Sequence, residues 1–326
     1  MTSDWQPACA LDKLHLRAEV LATIRAFFAQ RHVLEVETPL LASATGTDPQ
    51  LDFFATRYAG VVPPQQLYLQ TSPEFAMKRL LAAGSGSIYQ IAKAFRNGEH
   101  GRFHNPEFTL LEWYRVGFGL AELMQEVAEL FAALFCLKNI GFRSEQLTYQ
   151  AVFEQYTGLD ALVFDVDAYT HYAITQHLTD APRLCAAEHA LWLDFLFSHQ
   201  VQPHLGQQGI TLVYAYPQCQ SSLAKLNPQD NRVAERVEVF WQGVELGNGF
   251  YELDNVVEQE QRFDKEIAYR VEQGLPAVCK DKKFLAALAA GLPECAGIAL
   301  GLDRIIMLLA GSTSIAEVIA FPLARA

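Results

Sequence analysis

From residue 12 to residue 32, apolar side chains return every three to four positions. Val20, Leu21, Ile24, Phe27 and Phe28 therefore fall on one face of a helix. "VLEVETPLL" then alternates and stops near Pro39, which predicts an extended segment. "LDFFATRYA" and "LYLQ" read as further strands. Thr71-Ser72-Pro73-Glu74 predicts a helix start, with Ser72 as N-cap, Pro73 at the first helical position and an acid in the first turn. That helix runs to Gly84. "SIYQIAKAFRN" and "FTLLEWYRVGF" predict two strands around a polar loop, 98–106. Residues 119–200 read as mainly helical, "TLVYAYP" and "RVAERVEVFWQGVELGNGF" return to strand character, and 255–291 is helical again. The end reads as a glycine-bearing strand, a helix and "AEVIAFP". Strand pairs joined by hairpin loops, with helices to pack on them, predict an α+β domain with a largely antiparallel sheet. There is no repeat or low-complexity linker, so one domain is expected over 1–326, with a helical insertion at about 119–205.

Composition narrows the function classes. Of 326 residues, 51% are hydrophobic, which fits a globular chain with a sizeable core. No two of the six cysteines have C-x-x-C spacing, so neither a zinc ribbon nor a redox motif is supported, and buried thiols in a reducing cytoplasm are expected. The N-terminal residues lack a basic-then-apolar signal pattern. The apolar run 298–321 is broken by Asp303, Arg304 and Glu317, which excludes a membrane span there. A formal net charge of −12 argues against a generic nucleic-acid binder.

Three stretches carry candidate chemistry. In "RNGEHGRFHNPEF", Arg96 offers a fork of donors suited to phosphate or carboxylate, His104 and Arg102 can add contacts to phosphate, and Phe108 offers a flat face to a base. In "EVFWQGVELGNGFYELDN", Glu238, Glu245 and Glu252 recur every seven positions. On a strand that spacing alternates faces, so Glu238 and Glu245 need a bend or bulge to converge, and Gln242-Gly243 is the expected break. Glu245 and Asn248 are hard oxygen ligands of the type Mg²⁺ takes beside phosphates. Third, "GIALGLDR" sets two glycines and Ala299 ahead of Arg304 at the first turn of a helix. Alone, it is as good a packing pattern as a ligand floor, and Arg304 can equally pair with Asp303 or Glu317.

In that order, "VLEVETPLL", "FRNGEHGRFHNPEFTLLEWY" and "GIALGLDR" resemble motifs 1, 2 and 3 of the class II aminoacyl-tRNA synthetases, and "ELGNGFYEL" with "TSPEFAMKRLL" resembles their lysyl branch. The resemblance runs from about Leu11 to Arg325. It implies an antiparallel sheet flanked by helices, a homodimer, and attack of an amino acid's carboxylate on the α-phosphate of ATP, with Mg²⁺ assisting. It also implies roles. Arg96 would hold the α-phosphate and His104 the γ-phosphate. Asn105 and Phe108 would meet the adenine, with Asn97, Leu246 and Gly301 bordering the nucleotide. Arg304 would meet the γ-phosphate, and Glu238 and Glu245 the metal. Glu112 would take an α-amino group, Tyr114 and Glu252 a distal ammonium, and Asn248 the carboxylate. Phe250 would line the stem, with Ser72, Pro73 and Glu74 bordering the substrate.

Two features depart from the tRNA-charging members. The first helix begins near residue 12, leaving no room before it for an anticodon-reading barrel, and Ala299 stands where those members usually carry glycine. Both departures resemble a truncated branch of the family that activates (R)-β-lysine, and α-lysine less well. Its acceptor is a lysine amine on elongation factor P, with no tRNA and no membrane. A tRNA-charging enzyme without its own anticodon domain is the alternative.

Overall fold

A computed structural model describes residues 5–326. In chain order the helices are α1 (Leu11–Gln30), α2 (Glu74–Ala82), α3 (Leu120–Cys136), α4 (Tyr149–Thr157), α5 (Val166–Thr175), α6 (Ala181–Cys185), α7 (His189–Leu196), α8 (Val256–Glu272), α9 (Lys282–Gly291) and α10 (Leu302–Leu309). The strands are β1 (Leu34–Glu35), β2 (Leu41–Ala42), β3 (Ala55–Tyr58), β4 (Gln65–Leu69), β5 (Ile88–Phe95), β6 (Glu107–Val116), β7 (Ser144–Thr148), β8 (Ile210–Pro217), β9 (Val233–Trp241), β10 (Val244–Tyr251) and β11 (Cys295–Gly301). The chain divides into two compact units, one made of 1–117 with 253–326, the other of 118–252.

In the first unit, strands pair in the order β1, β5, β6, β11. The β5–β6 and β6–β11 pairings are antiparallel, whereas β1 joins β5 in parallel. The expected antiparallel arrangement thus gains one parallel edge, because β1 follows helix α1 rather than a hairpin. One sheet face packs on α1. Phe28 stacks on Tyr89 with ring centroids 4.4 Å apart and meets Trp113 edge-on at 5.3 Å. Each aromatic pair is worth about 1 kcal/mol beyond its buried area. The predicted stripe Val20, Ile24, Phe27 and Phe28 is buried here. The segment "VLEVETPLL" forms β1 and β2 with a gap at Thr38-Pro39, and β2, β4 and β3 make a separate antiparallel sheet.

Helix α2 begins one residue later than predicted. Pro73 is the N-cap, and Ser72 Oγ accepts the Glu74 N–H at 3.2 Å. Phe75 on α2 stacks on Phe284 of α9 with centroids 4.5 Å apart, and Phe263 of α8 closes the group. Arg270, buried in α8, donates to the carbonyls of Asp48 and Pro276 and fixes the loop before β3.

In the second unit, pairing runs β10, β9, β8, β7, with β7 parallel to β8 and the rest antiparallel. Helices α4 to α7 bury Tyr149, Phe153, Tyr169 and Trp192 in one aromatic-rich core. The predicted helical stretch therefore holds a strand, β7, and ends in a π-helical turn, Phe197–Val201. Gln242 and Gly243 both have positive φ, 52° and 73°, so they are the two-residue turn of the β9–β10 hairpin rather than a break within a strand.

Candidate active site

In the first unit the site is built on the sheet face opposite α1. Side chains alternate along a strand, so Trp113 faces α1 while its neighbours Glu112 and Tyr114 face the other way. Register extends this polar row sideways. Glu112 pairs with Gln90 of β5 and with Ala299 of β11, and Tyr114 pairs with Gly297. Directly opposed residues share a face with Cβ atoms about 5 Å apart. The Ala299 methyl therefore stands beside Glu112. Both Glu112 and Tyr114 are buried, and the Tyr114 hydroxyl donates to Glu112 Oε1 at 2.7 Å. At the start of α2, Glu74 binds the ammonium of Lys78 at 2.5 Å.

Arg96 follows β5, and the β5–β6 loop closes over it. Gly98 takes φ of +76°, a left-handed turn position that favours glycine. Arg96 lies over the Phe108 ring, 5.0 Å from its centroid, and Nη1 reaches Glu99 at 3.4 Å. Its Nε is buried and has no hydrogen-bond partner among the described residues. A buried donor left open costs about 1–3 kcal/mol, so this one is poised for an acceptor. Asn97 donates to Asp52 at 2.9 Å. Arg102 anchors the loop through Nε, which donates to the Thr313 carbonyl at 2.6 Å. Asn105 uses both ends of its amide on main chain, donating to the Glu107 carbonyl at 2.6 Å and accepting from Leu323 N–H at 3.1 Å.

Gly301 caps α10, and Arg304 sits in its first turn. Arg304 Nε donates to the Phe103 carbonyl at 3.1 Å, and Nη2 lies 2.7 Å from His104 Nε2. A guanidinium can only donate, so His104 Nε2 is the acceptor in this contact. The Asp303 and Glu317 pairings open to Arg304 in the sequence are not formed. Asp303 is buried, bound by Arg17 and by the Thr109 N–H at 2.7 Å, while Glu317 pairs with Lys13. Asp303 thus ties α1, β6 and α10 together and leaves Arg304 aimed at the β5–β6 loop.

In the second unit, a register shift between Glu245 and Gly247 places Glu245 opposite Phe240 and Asn248 opposite Glu238. The hairpin turn at Gln242-Gly243, the expected break, is what the seven-residue spacing required: it sets Glu245 opposite Phe240, two residues from Glu238 and on the same face. The bulge that follows then brings Asn248 onto that face, although 245 and 248 are an odd number of residues apart. Leu246 is buried. Burial pushes the Glu238 carboxyl up to about 7, with Arg236 opposing and Glu245 adding to the rise. Arg236 was not singled out in the sequence. It binds Glu238, donates to Asn248 Oδ1 at 3.0 Å, and lies 4.4 Å from the Tyr216 ring centroid. Its signal was the i, i+2 spacing to Glu238, which puts both on one strand face. Phe250 packs with Ala224 and Ala234, and Glu252, buried, bridges to Ala224.

Among the described residues no group of three or more His, Cys, Asp or Glu side chains is arranged to hold a metal ion alone. Two neighbouring acids, one strained by burial and by the other's charge, nonetheless fit a dication that takes its remaining oxygens from phosphate. All six cysteines are free thiols. No helix among the described residues is long and apolar enough to cross a membrane.

The family model described as tRNA synthetases class II (D, K and N) matches residues 4–325. The chain is 47% identical over 326 residues to the elongation factor P–(R)-β-lysine ligase of Proteus mirabilis (strain HI4320), and 48% identical over 326 residues to that of Vibrio cholerae serotype O1. In both cases the match covers 99% of each chain. It is 45% identical over 327 residues to the same-named protein of Salmonella dublin, covering 100% of this chain and 99% of the relative.

Proposed function

The chain belongs to the class II tRNA synthetase family of the D, K and N type, and from that premise we propose that it is an ATP-dependent ligase. It activates (R)-β-lysine as its adenylate and passes it to a lysine amine of elongation factor P. The relatives that match it from end to end support this substrate and acceptor. The observation that carries the chemistry is the row Gln90, Glu112, Tyr114 and Ala299 on one sheet face, with Arg96 and Arg304 at the ends of strands β5 and β11. Acids meet a diamino acid's ammonium groups, cations meet phosphates, and no nucleophile–base pair is needed.

In the first step a carboxylate oxygen of the amino acid forms a bond to the α-phosphorus, and the bond to the β-phosphate breaks, releasing pyrophosphate. Arg96, with its open Nε, stabilises the charge that builds on the α-phosphate. Arg304 and His104 hold the γ-phosphate end. Phe108 stacks the adenine, and Asn105, anchored on main chain by Glu107 and Leu323, meets it as well. Asn97, Leu246 and Gly301 border the nucleotide. In the second step the acceptor amine, delivered neutral, forms a C–N bond to the carbonyl, loses a proton, and AMP leaves.

Glu112 takes the amine nearer the carboxylate, with Ser72, Pro73 and Glu74 beside it. Tyr114 and Glu252 take the distal ammonium, Asn248 the carboxylate, and Phe250 the methylene stem. Glu238 and Glu245 would hold Mg²⁺, which when bound offsets phosphate charge. We read 119–205 as a helical insertion within one catalytic domain, and α1 as part of a homodimer contact. The cytoplasm, which supplies ATP and elongation factor P, is the compartment this activity requires.

Pyrophosphate exchange and tRNA acylation separate this function from tRNA charging. The purified chain is expected to exchange pyrophosphate into ATP with (R)-β-lysine, more slowly with α-lysine, and to leave tRNA-Lys unacylated. Acylated tRNA at a rate matching exchange would establish the tRNA-charging alternative.

A further inference from the structure

Lys78 is a buried charged group of the first unit without a task in the reaction. Its side chain is 1% exposed, while that of its partner Glu74 is 18% exposed. An i, i+4 Glu–Lys pair on a helix is ordinarily a solvated surface feature of small worth. Here the ammonium is enclosed instead. It lies 5.9 Å from the ring centroid of Tyr114 and 5.9 Å from that of Phe284, whose ring stacks on Phe75, the residue after Glu74. An enclosed ammonium is unfavourable compared with an apolar side chain of the same size unless something else is gained. It binds Glu74 Oε1 at 2.5 Å, and the Glu74 N–H is held by Ser72 Oγ at 3.2 Å. Among the described residues Oε2 of Glu74 accepts no hydrogen bond. The carboxylate is thus fixed at one oxygen and open at the other.

We propose that Lys78 is a positioning residue for the amino-acid substrate, a resident ammonium that holds the Glu74 carboxylate oriented so that Oε2 receives the substrate amine beside Glu112. The role rests on reading this face as a diamino-acid site. Without Lys78, Glu74 is free to turn toward solvent, and amine binding loses its partner.

A double-mutant cycle read by calorimetric titration of (R)-β-lysine into the full-length protein tests this. Lys78→Met and Glu74→Gln are each expected to weaken binding by about 30-fold, and the double variant by no more than about 3-fold beyond the weaker single. Affinity for ATP should stay within about twofold of wild type in all three, since neither side chain meets the nucleotide. A merely structural lysine would give losses that multiply in the double variant, or would weaken ATP binding in parallel; either result overturns the role. Lys78→Gln, which keeps a donor to Glu74 without the charge, carries the cycle should Lys78→Met not fold. A wild-type protein that binds neither lysine isomer overturns the functional reading and this role together, whereas a binding wild type with multiplying losses overturns the role alone.

Discussion

Arg96→Ala is expected to lower the rate of pyrophosphate exchange by about 10³-fold while leaving the fold intact, which is on the order of 4 kcal/mol of transition-state stabilisation. Two structural features set that magnitude. The guanidinium is held in advance, over the Phe108 ring and against Glu99, so little reorganisation accompanies reaction. Its buried Nε has no acceptor among the described residues, so the donor is kept for a group that arrives with substrate. Charge that grows on the α-phosphate in the transition state makes that bond stronger there than in the ground state, so kcat should fall more than the KM for ATP rises. Because the side chain is partly exposed and contributes no large buried apolar area, the melting temperature should move by only a few degrees. Exchange within tenfold of wild type would remove Arg96 from the reaction.

Ala299→Gly is expected to shift the ratio of exchange rates toward α-lysine by about tenfold, within the ~1–3 kcal/mol that one methyl can discriminate. The reason is register. Ala299 stands directly across from Glu112 on the same face, so its methyl occupies space beside the carboxylate that receives the nearer amine. In α-lysine that amine is on the carbon next to the carboxyl group, close to the sheet. In β-lysine it is one carbon farther along and passes the methyl. Glycine reopens the space at about 0.5–1 kcal/mol of strand stability. The check is exchange with each isomer under identical ATP. A ratio unchanged within twofold would mean that selectivity lies elsewhere on the face.

Much of this site could be read from residue order, and the unread parts share a physical cause. Period-two alternation on β6 separates Glu112 and Tyr114 from Trp113 without any structure, and the stripe on α1 predicts the apolar face that the sheet covers. The need for a bend between Glu238 and Glu245 followed from spacing alone, and Gln242-Gly243 supplies it, whereas the bulge after Glu245 had no signal in the spacing. What alternation cannot supply is the identity of the neighbour across a strand. Hence the resemblance marks Ala299 as a selectivity candidate, but only the register shows that its methyl stands beside Glu112. Lys78 reads as an exposed helix charge, because nothing local announces that Phe284, some two hundred residues later, encloses it. Ser72 shows the limits of turn rules. Its hydroxyl does bind near the helix start, but Pro73 takes the cap position. The sequence left Arg304 open to Asp303 or Glu317. Asp303 is held by Arg17 and the Thr109 N–H and Glu317 by Lys13, while Arg304 meets Phe103 and His104 of the β5–β6 loop.

The most direct test is the mass of elongation factor P after incubation with the purified protein, ATP and (R)-β-lysine. The account predicts an increase equal to one lysine minus one water, about 128 Da, in an amide linkage that survives alkaline treatment, with no gain when ATP is withheld. An unchanged mass beside active pyrophosphate exchange would contradict it, because the chain would then make an adenylate with a different destination.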